Sequence, residues 1–89
     1  MAELSRDFTK VFLATPQTNQ VIAVDAHSLS VEQRIAVGSL PGHVSMSGDG
    51  RYLAVMNEGD DSVSFVAPSS NAEIRRIRGF YRPHFARFS

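Results

Sequence analysis

The sequence predicts an all-β fold built from two copies of one antiparallel four-stranded unit. Three observations predict it. Short runs rich in β-branched residues alternate with turn sequences such as SGDG at 47–50. Apolar residues nowhere recur with the 3.6-residue spacing of a helix. The chain also repeats itself at a fixed offset, which indicates repeated supersecondary units rather than one irregular domain.

The repeat has a period of 42 residues. Aligning the chain with itself at this offset pairs nine identical residues among 43 positions without a gap. The pairs are Ser5/Ser47, Asp7/Asp49, Val21/Val63, Val24/Val66, Ser28/Ser70, Arg34/Arg76, Ile35/Ile77, Pro41/Pro83 and Ser47/Ser89. A period of about 40–45 residues filled with short strands is typical of a β-propeller blade. The repeats are therefore assigned to 5–46 and 47–89.

The strands of the second unit are expected at 43–47, 52–56, 63–67 and 73–78. Asp49-Gly50 joins the first two, because glycine supplies the positive φ that a tight hairpin needs. The first unit repeats the order at 11–15, 20–26 and 32–37, but it shows no inner strand of its own. It also has Asp7-Phe8 in place of Asp49-Gly50, so we expect its turn to differ or to fray.

The segment 84–89 matches the inner strand of a next blade. Two blades cannot close a ring, since propellers have typically four to eight. We expect the ring to be closed by oligomerisation or by missing blades of a longer chain. In an oligomer, strand exchange would place 84–89 in the first unit of a neighbouring copy. Three copies would then supply six blades, and four copies eight.

Composition sets few limits on function. The 89 residues carry nine basic and nine acidic side chains, so no global charge recruits nucleic acid or an anionic membrane. There is no cysteine, which excludes disulfides and thiolate metal sites. The N-terminal ten residues lack the apolar run of a signal peptide, and no stretch is long enough for a membrane span.

The segment GSLPGHVSMSGDGRYLAVMNEGDDSVSFV resembles the repeat of the YVTN-type β-propellers. The matching residues are Gly38, Pro41, Val44, Ser47, Asp49, Gly50, Asn57, Gly59, Val63, Ser64 and Val66. The resemblance covers 5–89. It implies a periplasmic or extracellular protein and a relationship to the haem-binding propeller of cytochrome-type nitrite reductases. The motif encodes turns and packing, so it specifies fold better than function.

Two groups of residues are candidates for binding. His43 and His84 follow the repeated prolines, where a closed ring would place them near the mouth of its channel and where they could bind a cofactor of the haem type. The simpler interpretation is that each histidine bonds to backbone. The arginines at the C-terminal side are candidates for binding an anion or an acidic partner: Arg75, Arg78, Arg82 and Arg87. An exposed edge strand explains them equally well.

No catalytic constellation is visible in the sequence. The serines lie in turns without a nucleophile-elbow context, and no phosphate-binding glycine loop occurs. The sequence therefore favours a non-enzymatic propeller module for assembly and partner binding. The alternative is a propeller that binds a haem or quinone type of cofactor in a periplasmic redox protein.

Overall fold

The computed structural model describes residues 2–5 and 7–78. Within these ranges the chain forms eight strands and a short 3-10 turn at Pro16–Thr18. The strands are β1 Ala2–Leu4, β2 Lys10–Thr15, β3 Gln20–Asp25, β4 Val31–Ala36, β5 Pro41–Met46, β6 Leu53–Asn57, β7 Ser62–Ala67 and β8 Ala72–Arg78.

The strands form two four-stranded antiparallel sheets, in the orders β1-β2-β3-β4 and β5-β6-β7-β8. Each sheet is a meander, so every strand pairs with its neighbour in sequence. The two sheets also share a bulge between their third and fourth strands. A β-bulge interrupts the β3–β4 register between Ala23 and Val24, and another interrupts β7–β8 between Phe65 and Val66, 42 positions later. This architecture confirms the predicted fold class of propeller blades.

The first sheet has an inner strand, contrary to the expectation that its unit lacks one. Strand β1 pairs with β2 through the register Ala2↔Leu13 and Leu4↔Val11. Three residues are too few to show a strand alternation in sequence, which is why β1 was missed. The sheets accordingly divide between Ala36 and Pro41, whereas the repeat units were divided after residue 46.

The strand exchange expected from the sequence needs a vacant inner edge on β2. Strand β1 occupies that edge along Val11, Phe12 and Leu13. The segment 84–89, which was to fill it, lies outside the described residues. The β2 edge is therefore paired within the chain along these three residues, and strand exchange through 84–89 stays a prediction.

The turn between β1 and β2 has the same hydrogen bonds as the turn between β5 and β6. The Ser5 hydroxyl donates to Asp7 Oδ1 at 2.8 Å, and the Ser47 hydroxyl donates to Asp49 Oδ1 at 2.7 Å. The backbone N–H of Lys10 donates to Ser5 Oγ at 3.0 Å, as the N–H of Tyr52 does to Ser47 Oγ. The expectation of a different or frayed first turn was wrong, because Ser5, Asp7 and the backbone hydrogen bond from the Phe8 N–H to the Ser5 carbonyl hold it in the same form.

This turn places Phe8 in an unfavourable backbone conformation. Its φ is 62°, and the equivalent Gly50 has φ 74°. A side chain disfavours this left-handed conformation, whereas glycine adopts it readily. Two further left-handed pairs repeat at 42 residues: Asn19 (φ 56°) with Asp61 (φ 52°), and Leu29 (φ 63°) with Asn71 (φ 52°). The repeat is thus preserved in backbone conformation even where the side chains differ.

The main hydrophobic core lies between the two sheets. Phe12, Val21 and Ala23 of the first sheet are fully buried, as are Leu53, Val55 and Val66 of the second. Ile35, Val37 and Val44 complete this cluster. Fully burying an aliphatic or aromatic side chain contributes about 1.5–3 kcal/mol, so the stability of each sheet depends on its neighbour. A second, smaller cluster consists of Ala54, Met56 and Val63, with Phe65 packed against it.

We predict that Phe8→Gly stabilises the folded chain by about 1 kcal/mol, because it removes the left-handed strain of a bulky residue. Little packing is lost, since Phe8 is 72% exposed. Urea unfolding at a concentration where the chain is monomeric measures the effect. The reverse change, Gly50→Phe, should destabilise. A lower unfolding midpoint for Phe8→Gly would contradict the assignment of strain.

Candidate functional site

Side chains alternate along a strand, so each sheet has two faces. In this chain both faces of each sheet carry apolar residues. Phe12, Val21 and Ala23 lie on the face of the first sheet that packs against the second. Their equivalents 42 positions later are Ala54, Val63 and Phe65, which lie on the far side of the second sheet. In the second sheet, the opposite face packs against the first sheet. The equivalent face of the first sheet points away from the second sheet.

This outward face of the first sheet is apolar, and it lies outside the core between the sheets. Leu4, Val11, Val24 and Val31 form one row across the four strands, and Leu13 with Ile22 forms the next. Leu4 is 42% exposed and Val31 45% exposed. We define these six residues as the outward face. Five of them are partly or largely exposed in the described structure, whereas Val24 in the middle of the row is only 9% exposed.

The equivalents of the outward face in the second sheet show how such a surface is used. Val11, Leu13 and Val24 correspond to Leu53, Val55 and Val66, which are all 0% exposed because the first sheet packs on them.

Polar contacts fix the two sheets to each other at their rims. The backbone N–H of Met46 donates to Glu3 Oε2 at 3.2 Å, which joins the two inner strands. At one end of the strands, Lys10 Nζ donates to the Pro68 carbonyl and to Asn71 Oδ1, both at 3.3 Å. These contacts set the angle at which the apolar faces meet.

At the other end, the linker between the sheets covers a buried polar cluster. Asn57 Nδ2 donates to Ser62 Oγ and Ser64 Oγ, both at 2.9 Å, and all three side chains are fully buried. The Ser62 hydroxyl donates a hydrogen bond to Asp60 Oδ1 at 2.5 Å. Asn57 Oδ1 has no hydrogen-bond partner among the described residues. A buried asparagine of this kind specifies one arrangement of the strands more than it adds stability.

Two residues of the linker seal this cluster. Gly38 packs directly on Asn57, because an added Cβ would lie 2.6 Å from the Asn57 Cγ and Nδ2 atoms and 2.7 Å from Ser62 Oγ. The backbone N–H of Ser39 donates to Asp60 Oδ2 at 3.1 Å. The sequence signal for the cluster was a polar residue at the end of the apolar run YLAVMN, but its partners lie on another strand and could not be identified from it.

Burial by itself would raise the pKa of Asp60. The hydrogen bonds from the Ser62 hydroxyl and the Ser39 N–H, together with the charge of Arg78, outweigh it, so the pKa lies below its ordinary value. The carboxylate is therefore ionised at neutral pH and links the linker to the second sheet.

The structure describes three of the six predicted binding residues, His43, Arg75 and Arg78. His43 is partly buried on β5 and lies opposite Met56 in the sheet register. His84, Arg82 and Arg87 lie outside the described residues. Arg75 is exposed on β8 opposite Phe65, and Arg78, opposite Ser62, is 3.7 Å from Asp60 with its side chain 63% exposed. An anion site built from these arginines stays a prediction.

Within residues 2–5 and 7–78, no three His, Asp or Glu side chains come close enough together to hold a metal ion. The same part of the chain contains no helix long and apolar enough to cross a bilayer.

Comparison with solved structures identifies the architecture to which both sheets belong. Hydrazine synthase from Kuenenia stuttgartiensis superposes on 99% of this chain with a TM-score of 0.91 and 30% identity. The dihydro-heme d1 dehydrogenase NirN, solved in complex with DHE, matches 86% with a TM-score of 0.76 and 21% identity. The β-propeller domain of Cps50 (Swd1) from Myceliophteria thermophila matches 88% with a TM-score of 0.74 and 16% identity. The chain forms two blades of a β-propeller.

The two blades are a small part of these structures. They cover 25% of the hydrazine synthase chain, 16% of the NirN chain and 24% of the Swd1 chain. No protein-family model matches the sequence, and comparison with curated proteins finds no match. The similarity therefore concerns blade architecture, and the two blades by themselves leave the ring open.

Gly38→Ala should destabilise the chain by about 1–3 kcal/mol, because the added methyl group would overpack the buried Asn57 cluster. Gly48→Ala provides the matched control, since a Cβ at that position meets nothing within 4 Å. Urea unfolding of both variants measures the difference. Equal midpoints for the two alanine variants would show that the linker does not press on Asn57.

Asp60→Asn should lower the free energy of unfolding at pH 7 by about 1–2 kcal/mol, because the hydrogen bonds to Asp60 lose a charged acceptor. A depressed folded-state pKa means that the carboxylate stabilises the fold above its unfolded pKa, near 4, and ceases to do so as pH falls through the lower folded value. The difference from wild type should therefore shrink below about pH 4. Glu32→Gln, on the exposed strand β4, is the control. A difference that is constant with pH would contradict this role.

Proposed function

We propose that this chain is a non-enzymatic β-propeller module for assembly and partner binding, which acts through the outward face of its first blade. The observation that carries the proposal is the equivalence of Val11, Leu13 and Val24 with Leu53, Val55 and Val66. The second set is completely buried by a neighbouring blade. A surface with the same positions and the same apolar character is suited to receive another blade.

The energetics support assembly. Fully burying an exposed aliphatic side chain contributes about 1.5–3 kcal/mol, and Leu4 and Val31 of the outward face are 42% and 45% exposed, so a partner packed on this face would gain most from burying these two. Exposed apolar faces of this kind mark association surfaces in soluble proteins. The blades that complete the ring are further copies of this chain, as a trimer or tetramer, or the other blades of a longer propeller.

The proposal includes membership of the YVTN-type repeats. Several residues that match this repeat have structural roles that such a motif would require. Gly38 packs on Asn57, Asn57 donates to Ser64, and Ser47 with Asp49 holds a turn. A periplasmic or extracellular location follows from the same resemblance.

Ile22→Glu tests the proposal, because it places a charge within the outward face. We expect the wild type to run as an oligomer in light scattering on a sizing column, and the variant to run at the monomer mass with an unchanged circular dichroism spectrum. Ile74→Glu is the matched control, since Ile74 is 53% exposed on β8 and is the bulge residue equivalent to Glu32. If Ile22→Glu runs at the oligomer mass of the wild type, the role of this face is refuted. The role is also refuted if Ile22→Glu and Ile74→Glu have the same solution mass.

A second candidate function is a propeller of a redox protein that binds a haem-type cofactor. It draws on the 30% identity with a hydrazine synthase and the structural likeness to a dihydro-heme d1 dehydrogenase. In the described part, His43 on the inner strand β5 would supply one imidazole to hold such a cofactor. His84 would be a second ligand under this hypothesis.

Titration with hemin separates the two candidates. Under the cofactor hypothesis the Soret band shifts on binding, and the shift is lost in His43→Ala but kept in His27→Ala, which alters an exposed turn. Equal spectra for the three proteins would exclude His43 as a ligand. Replacing Arg75 and Arg78 with glutamine, while an acidic peptide is titrated, tests the predicted anion site in the same way.

A further inference from the structure

A groove separates the two blades at the end of the strands where Lys10 meets the second blade. It has a volume of about 510 Å³, and its lining is polar on the first-blade side, with Ser5, Asp7, Thr9 and Lys10. Gly50, Pro68 and Ser69 line the second-blade side. Lys10 crosses the groove to reach the Pro68 carbonyl and Asn71. The contact within the chain at this end is therefore polar.

The outer side of the first blade has different residues at the equivalent positions. Phe8 replaces Gly50, Ala26 replaces Pro68, and Leu29 replaces Asn71. Phe8 is 72% exposed and Leu29 is 74% exposed. Both have left-handed φ values, of 62° and 63°, which a bulky side chain occupies at a cost. Large apolar groups held in strained, exposed turns are better explained by a contact than by the fold of the single chain.

The outer side of the second blade changes in a matching way. Tyr52 stands where the first blade has Lys10, and Arg51 stands where it has Thr9. Tyr52 is partly exposed, and the Arg51 guanidinium carbon lies 5.5 Å from the centre of its ring. The Tyr52 ring can pack against the side chains of Phe8 and Leu29, as aromatic rings do in apolar contacts. In the contact within the chain, Lys10 instead donates to the polar side chain of Asn71.

We infer that a second copy of this chain packs its Tyr52 turn against Phe8 and Leu29 at the outer end of the first blade, in a head-to-tail contact. This inference rests on the proposed assembly function and names its partner. If one copy follows another as the second blade follows the first, Tyr52 of one copy faces Ala26 and Leu29 of the next. Phe8 then fills the position of the groove that Gly50 leaves open within the chain.

The pairing of changes is what selects a second copy as the partner. Within the chain, a cation meets a carbonyl and an amide. Between copies, the Tyr52 ring would meet Phe8, Ala26 and Leu29, and the Arg51 cation would lie at a pocket that Asp25 and His27 also line. Ala54, Met56 and Val63 at the centre of the outer side of the second blade are already buried within the chain. The contact is therefore assigned to the turn end, where Tyr52 is accessible.

The test is the double variant Phe8→Gly with Leu29→Asn. Both substitutions introduce the residue that the second unit already carries at the same left-handed position, so the monomer should be at least as stable as the wild type. We expect the dissociation constant for self-association, measured by sedimentation equilibrium, to rise about a hundredfold. Leu40→Asn is the matched control, because Leu40 is also exposed and left-handed (φ 51°) but lies in the linker at the opposite end.

Tyr52→Ala should weaken association by a similar factor, and combining it with Leu29→Asn should cost less than the sum of the two single changes. Association of the double variant at wild-type strength, while Ile22→Glu abolishes it, would overturn this inference and leave the proposed function standing. A wild type that stays monomeric at all concentrations would overturn the inference that the partner is a second copy. A loss of association in Leu40→Asn equal to that of the double variant would also overturn it.

Discussion

The structure depends on one constraint, which is that a four-stranded sheet with two apolar faces must bury both. A single blade of this chain cannot do so, because side chains such as Leu53 and Ala54 point to opposite sides of the same strand. Packing one blade on the next buries Phe12 and Val55 against each other and moves the unsatisfied face outward. Repetition buries every face only when the series of blades closes, which is the physical basis of the assembly proposed above.

Polar groups decide how the blades meet. Apolar faces alone would allow many relative positions, since hydrophobic burial is not directional. Glu3, Lys10 and the Asn57 cluster supply the directional contacts that select one of them. The linker takes part as well, because Gly38 permits the close approach and Ser39 donates to Asp60. In the proposed contact between copies Tyr52 stands in the place of Lys10, so the chemistry at the turn end is different.

The sequence predicted much of the fold and little of the site. Turn residues and the 42-residue offset are local signals, so the strands β2–β8 were located to within a few residues. Strand β1 was missed because Ala2–Leu4 is short and has meaning only beside β2. The turn at Phe8 was misjudged because sequence preference argues against a left-handed phenylalanine, while the hydrogen bonds of Ser5 and Asp7 override it. Such overrides depend on neighbours that no local pattern contains.

By itself, the sequence determined the all-β class, the repeat and the turn chemistry, because these depend on residues close together in the chain. Only the tertiary structure decided which face of each blade is covered. It showed that Leu53 and Val55 are buried while their equivalents Val11 and Leu13 remain partly accessible. The physical reason is that equivalent residues have the same local conformation but different neighbours. Burial is a property of the neighbours, and the repeat does not encode it.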